Sequence, residues 1–125
     1  MVRSLISALV AIGILFGVSF GEQYLLRKCF SEFKESAVVV YEKIEEEVAV
    51  KEDVLSLQKM WLNKKETLHL FVPHNDIKEI ELWLAEACTL VEYKEFKDAL
   101  SKIDVVIELS EQIPKMYVFT PQNIF

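Results

Sequence analysis

The residues of this sequence best suited to chemistry crowd around one turn, where His69, His74, Asp76 and Glu79 fall close together. Two imidazoles with a carboxylate are donor types that bind zinc, so the turn is a candidate site for a metal or a small ligand. The spacing matches no specific metal motif. Asp76 with Glu79 three residues on also has the form of a capping box at a helix start, which accounts for both acids without a ligand. No serine sits in a nucleophile elbow, no glycine-rich phosphate loop occurs, and no glycine at all follows Gly21. The expectation is a protein without a catalytic centre, a resident metal or a cofactor.

Cys29 and Cys88 form no Cys-x-x-Cys pair. In an oxidising compartment they can join only if their Cα atoms come within about 7 Å; otherwise each is a small buried hydrophobe, and two packed, unpaired thiols are expected. Trp61 and Trp83 have two readings as well. Large aromatics at helical spacing commonly fill a core, yet tryptophan is enriched where partners bind. Either residue is a partner contact if its ring is exposed.

These side chains need helices to position them. Leu26, Phe30, Phe33, Ala37, Tyr41, Ile44 and Val48 recur in steps of three and four, which predicts an amphipathic helix from Glu22 to about Val48. The run Glu45-Glu46-Glu47 marks its end near a turn, where the helix dipole disfavours acids. A second helix is expected from about Glu52 to Phe71, with Asp53 favourable near its start, burying Val54, Leu57, Trp61 and Leu68 and closed by Pro73. Asn75 or Asp76 then caps a third, with Ile77, Ile80, Leu84, Ala87 and Val91 inward and Trp83 and Leu90 widening its face. A short break at Glu92 to Lys94 leads to a fourth, with Phe96, Ala99, Leu100, Ile103, Val106, Ile107 and Ile113 inward, ended by Pro114. The spacing of Val54, Leu57 and Trp61 recurs in Phe96, Ala99 and Ile103, a weak echo between two helical hairpins. The apolar tail from Lys115 to Phe125 is expected to fold back on the bundle.

Before all this stands Ser4 to Gly21, an uncharged apolar run preceded by Arg3 and followed by Glu22. A membrane-spanning helix needs roughly 20 mostly apolar residues, with about 17 as the lower limit. Read as a signal peptide, the same run offers Ser19 and Gly21 before a cut ahead of Glu22; its apolar part is longer than the ~7 to 15 residues of a usual secretory core. Gly13, Gly17 and Gly21 are four residues apart on one face, a spacing that lets membrane helices pack closely, although glycine is common in membrane helices anyway. Arg3 on one side faces Arg27, Lys28 and Lys34 on the other, so the positive-inside rule does not decide orientation. A very short basic N-terminal tail before an exported C-terminal part places the N-terminus inside and the domain outside.

The chain has 125 residues and a formal charge of -6; residues 22–125 keep 13 of its 14 basic and all of its 20 acidic residues, a net of -7. That balance argues against nucleic acid, which requires clustered Lys and Arg. The fold expected is all-α: residues 1–21 as a membrane anchor, then residues 22–125 as an antiparallel bundle of about four helices, two stacked hairpins, with the 115–125 tail packed on it.

The N-terminal anchor, the Trp61 helix, the stretch from Leu70 through Pro73, His74 and Asn75 to Leu82, the Phe96-x-x-Ala99 helix and the closing Gln122-Asn123-Ile124-Phe125 together resemble a group of short bacterial proteins, the domain-of-unknown-function family 4363. The resemblance covers nearly the whole chain. It implies a small anchored helical protein and carries no activity with it. The functional expectation is an extracytoplasmic interaction or accessory module of the cell envelope, in contact with lipid through its anchor and with an envelope protein or a second copy of itself. The alternatives are a ligand or metal carrier using the His69, His74, Asp76 and Glu79 turn, and release from the membrane after cleavage near Gly21.

Overall fold

The computed structural model describes residues 1–70 and 72–116. They form four α-helices and, among the described residues, no strand: α1 Val2–Glu45, α2 Lys51–Leu68, α3 His74–Glu92 and α4 Phe96–Met116. From residue 117 onward, the expected return of the tail onto the bundle lies outside the described residues.

Buried positions explain the architecture. On α1 they are Leu26, Phe30, Phe33, Ala37, Val40 and Ile44; on α3 Ile77, Ile80, Leu84, Ala87, Cys88 and Val91; on α4 Ala99, Ile103, Val106, Ser110, Ile113 and Pro114. Apart from Cys88 and Pro114, which widen their faces, steps of three and four alternate, an average of 3.5, which is the seam of helices packed at a shallow angle with side chains interlocking. Such seams close into a four-helix bundle. The helices contact one another in the order α1–α2, α2–α3 and α3–α4, and α4 closes the ring with the most extensive contact, against α1. Connections of five residues or fewer make sequential neighbours antiparallel.

Helix α1 is 44 residues, about 66 Å at 1.5 Å per residue. Its first part is exposed and apolar, its second part is one wall of the core, and no break separates them at Gly21. This is the one helix among the described residues long and apolar enough to cross a membrane, and none of its most apolar window is buried.

Several boundaries differ from expectation. Helix α1 stops at Glu45, where Glu47 takes a left-handed conformation at φ 60°. The Glu47 N–H donates to Ile44 O at 3.0 Å and the Val48 N–H to Lys43 O at 2.9 Å, a Schellman closure. The chain reverses there, so Val48 is exposed and Ala49 is buried in its place. Helix α3 ends the same way: Lys94 is at φ 59°, its N–H donates to Val91 O at 3.0 Å, and the Glu95 N–H donates to Leu90 O at 2.8 Å. Helix α2 ends at Leu68, before Pro73, and α3 begins at His74 with Pro73 as its N-cap. Asp76 therefore lies in the first turn of α3, where its charge suits the dipole, and it is not the cap residue. Pro114 does not end α4; it is buried inside the last turn, and the helix runs on to Met116.

At the start of α2, Val50 is the N-cap and has no side-chain oxygen to offer. Asp53 supplies the reciprocal half of the cap by accepting the Val50 N–H on Oδ2 at 2.9 Å. Lys43 of α1 donates to Asp53 Oδ1 at 3.0 Å, joining the helix ends across the turn. Further ion pairs cross every remaining seam: Glu32 with Lys64, Lys34 with Glu111, Lys65 with Glu81, Lys51 with Glu92 and Lys102 with Glu86. Each is partly solvated and contributes little, so the seams carry the stability and the pairs fix register.

Candidate functional site

The ion pairs fix which ends of the helices meet. Lys64 near the end of α2 is 2.7 Å from Glu32, and Glu111 near the end of α4 pairs with Lys34. Both partners lie in the first turns of α1 after its exposed apolar run. The end of the bundle next to the exposed apolar run therefore gathers the α2–α3 turn, the end of α4 and residues 27–34 of α1.

At this end a cavity of about 350 Å³ opens between α1 and α4. Arg27, Ser31 and Lys34 line it from α1, Glu111 and Lys115 from α4, and the buried Phe30 and Pro114 form its apolar floor. Pro114 has no N–H for the Ser110 carbonyl one turn earlier, which interrupts the helix ladder beside the cavity. The buried Ser110 hydroxyl donates to Val106 O at 2.8 Å and is satisfied. The Lys34 ammonium holds the Glu111 carboxyl below the usual carboxylate range, first by its hydrogen bond and then by its charge. The sequence pattern did not point to this cavity, because its two walls are some eighty residues apart in the chain. Only the cluster Arg27, Lys28 and Lys34 was visible, as a flank of the anchor.

At the α2–α3 turn, the structure brings His69 and His74 together with ring centroids 5.5 Å apart and planes 18° from parallel. Both rings are exposed. Asp76 and Glu79 follow His74 on α3 by two and five residues, about 200° and 140° round the helix, so the two acids share a face that points away from His74. Among the described residues no group of three or more His, Cys, Asp and Glu side chains is arranged to hold a metal ion.

The tryptophans have different surroundings. Trp61 is 1% exposed, its ring 4.9 Å from Phe33 and 5.9 Å from Phe30, so α1 and α2 meet around it and no ring face is left for a partner. Trp83 is half-buried, with Lys102 Nζ 4.8 Å from its ring centroid. Neither buried indole N–H has an acceptor among the described residues. The edge of Trp61 reaches a crevice of about 260 Å³ between α2 and α3, lined also by Gln58, Leu62, Glu81 and Leu84, and Leu62 is exposed at its rim.

Both cysteines are free. Cys29 belongs to the anchor-proximal turns of α1, whereas Cys88 feels the charges of Lys51, Glu92 and Glu52 at the opposite end. Burial raises the Cys88 thiol pKa and keeps it protonated. Gly13, Gly17 and Gly21 face open space, with nothing within 4 Å of the position a Cβ would take.

The sequence profile of one family, described as a domain of unknown function (DUF4363), matches residues 20–124. No curated protein and no solved structure matches the chain.

Proposed function

Because the chain belongs to this family of unknown function across most of its length, which supplies architecture without activity, we propose that the protein is a membrane-anchored, non-catalytic helical interaction module of a bacterial cell envelope. The observation that carries the reading is α1 itself. Its exposed apolar half spans about 27 Å from Ser4 to Gly21, close to the hydrocarbon thickness of a bilayer, and its other half is a wall of the bundle core. An element built this way holds the bundle against the membrane surface. The crevice over Trp61, rimmed by exposed Leu62, gives a protein partner a small apolar foothold. The N-terminus lies inside, the bundle outside, and the membrane helix stays uncleaved.

The test is protease accessibility of a C-terminal tag on intact protoplasts, followed by separation of membranes from medium. Loss of the tag from membrane-bound protein supports the reading. Protection until lysis reverses the orientation, and recovery of the bundle in the medium identifies Ser4 to Gly21 as a signal peptide.

A second reading, a metal or small-ligand carrier, is favoured only by the stacked pair His69 and His74. Equilibrium dialysis with zinc decides it. Binding that disappears in a His74→Ala, Asp76→Ala variant supports a carrier, and binding equal to that of the variant removes it.

A further inference from the structure

We propose that the cavity between α1 and α4 binds the phosphate of an anionic phospholipid headgroup; the inference rests on the membrane-anchored reading above. Four observations converge on it.

The first is position. Arg27 is six residues past Gly21, about 9 Å along an unbroken helix, and Lys34 about 20 Å. The polar layer of a bilayer extends some 5 to 7 Å beyond each face of the hydrocarbon. A flexible arginine side chain at 9 Å reaches back into that layer. The second is charge. The chain is acidic, at -6, yet this cavity presents Arg27, Lys34 and Lys115 against the single carboxylate of Glu111. Glu111 is already paired with Lys34. Arg27 and Lys115 make no ion pair with the described residues, so a guanidinium and an ammonium remain available to a phosphate.

The third is the donor set. The exposed Ser31 lies one helical turn from Arg27 on the cavity wall and offers a hydroxyl beside the two cations. The fourth is the floor. Phe30 and Pro114 are apolar and, with Phe30 about 13 Å past Gly21, lie beyond the acyl region, so they suit the carbon atoms of a headgroup and give a free inorganic ion nothing. An acidic bundle is repelled by an anionic bilayer; a cationic cavity at its membrane-facing end offsets that repulsion and selects the lipid beside it.

The experiment uses the full chain extracted in a mild maltoside detergent and offered equimolar phosphatidylglycerol and phosphatidylcholine in a phosphate-free buffer, with retained lipid read by native mass spectrometry. We expect phosphatidylglycerol to be retained about tenfold over phosphatidylcholine. The double variant Arg27→Gln, Lys115→Gln, whose sites are both exposed, should lose that preference, while Lys28→Gln, one residue away and outside the cavity, should keep it. Equal loss in Lys28→Gln means diffuse surface charge and overturns the site, as does equal retention of the two lipids. Displacement of the lipid by about 10 mM inorganic phosphate would show a free-anion site and overturn the lipid assignment. Carbonate washing of cell membranes tests the premise separately. Protein in the pellet with no lipid preference refutes the cavity alone, and protein released into the supernatant refutes the anchoring and the cavity with it.

Discussion

Asp53 joins two helix ends, since one oxygen accepts the Val50 N–H and the other the Lys43 ammonium. Its pKa is lowered, chiefly by the Val50 backbone hydrogen bond; burial opposes this, and the hydrogen bond and charge of Lys43 add to the lowering. A carboxyl with a depressed folded pKa contributes stability that is whole above its unfolded pKa, about 3.9, and is lost as pH falls through the lower folded value. Asp53→Asn should therefore cost about 0.5 to 2 kcal/mol at neutral pH. The gap between variant and parent should narrow as pH falls below about 4. Denaturant titrations at several pH values measure this; a gap constant down to pH about 2 would show that the carboxylate charge contributes nothing. The sequence marked Asp53 as a favourable acid near a helix start. Its bond to Lys43 was not legible, because that needs the turn between α1 and α2 to be known.

At the scale of the helix, the two Schellman closures are the strained points. Both place a residue with a side chain, Glu47 and Lys94, in the left-handed region where a Cβ costs roughly 1 to 2 kcal/mol. Glycine removes that cost and loses some of the gain to unfolded-chain entropy. Glu47→Gly and Lys94→Gly should each raise stability by about 0.5 to 1 kcal/mol, read as a higher denaturant midpoint with unchanged slope. Destabilisation by either would mean that the side chain makes contacts outweighing its backbone strain. The same ends show why helix faces were legible and boundaries less so. Val54, Leu57, Trp61 and Leu68 follow from period alone and are buried. Val40 and Ser110 were missed because the bundle imposes a 3.5-residue seam: it buries Val40 in preference to Tyr41 and gives a core slot to a serine whose hydroxyl is satisfied within its own helix. The beginning of α3 was misplaced because Pro73 caps it by lacking an N–H to satisfy, with no side-chain bond from the cap residue, and the expected sign was a polar cap.

For the whole molecule, the face carrying Gly13, Gly17 and Gly21 has no neighbour among the described residues. If that face joins two copies, Gly17→Leu should abolish a crosslinked dimer in native membranes while leaving the bundle fold unchanged, because the added side chain meets nothing within its own chain. Crosslinking that is equal in parent and variant assigns the glycines to lipid. The occupant of that face was not legible in the sequence, which shows a stripe but never what it faces.

One property of α1 reaches past anchoring. No proline interrupts it, and the helix is continuous through its three glycines. On the membrane-anchored reading a single helix would therefore pass from bilayer to bundle with no loop on which the domain could swivel. A tilt of the buried half of α1 swings the distal turns at Glu47 and Lys94 through an arc, and a rotation of the same half about its axis turns the crevice at Leu62 to a new bearing. On the membrane-anchored reading proposed above, the protein is a lever with its fulcrum in the headgroups, and a load on one arm is passed to the other.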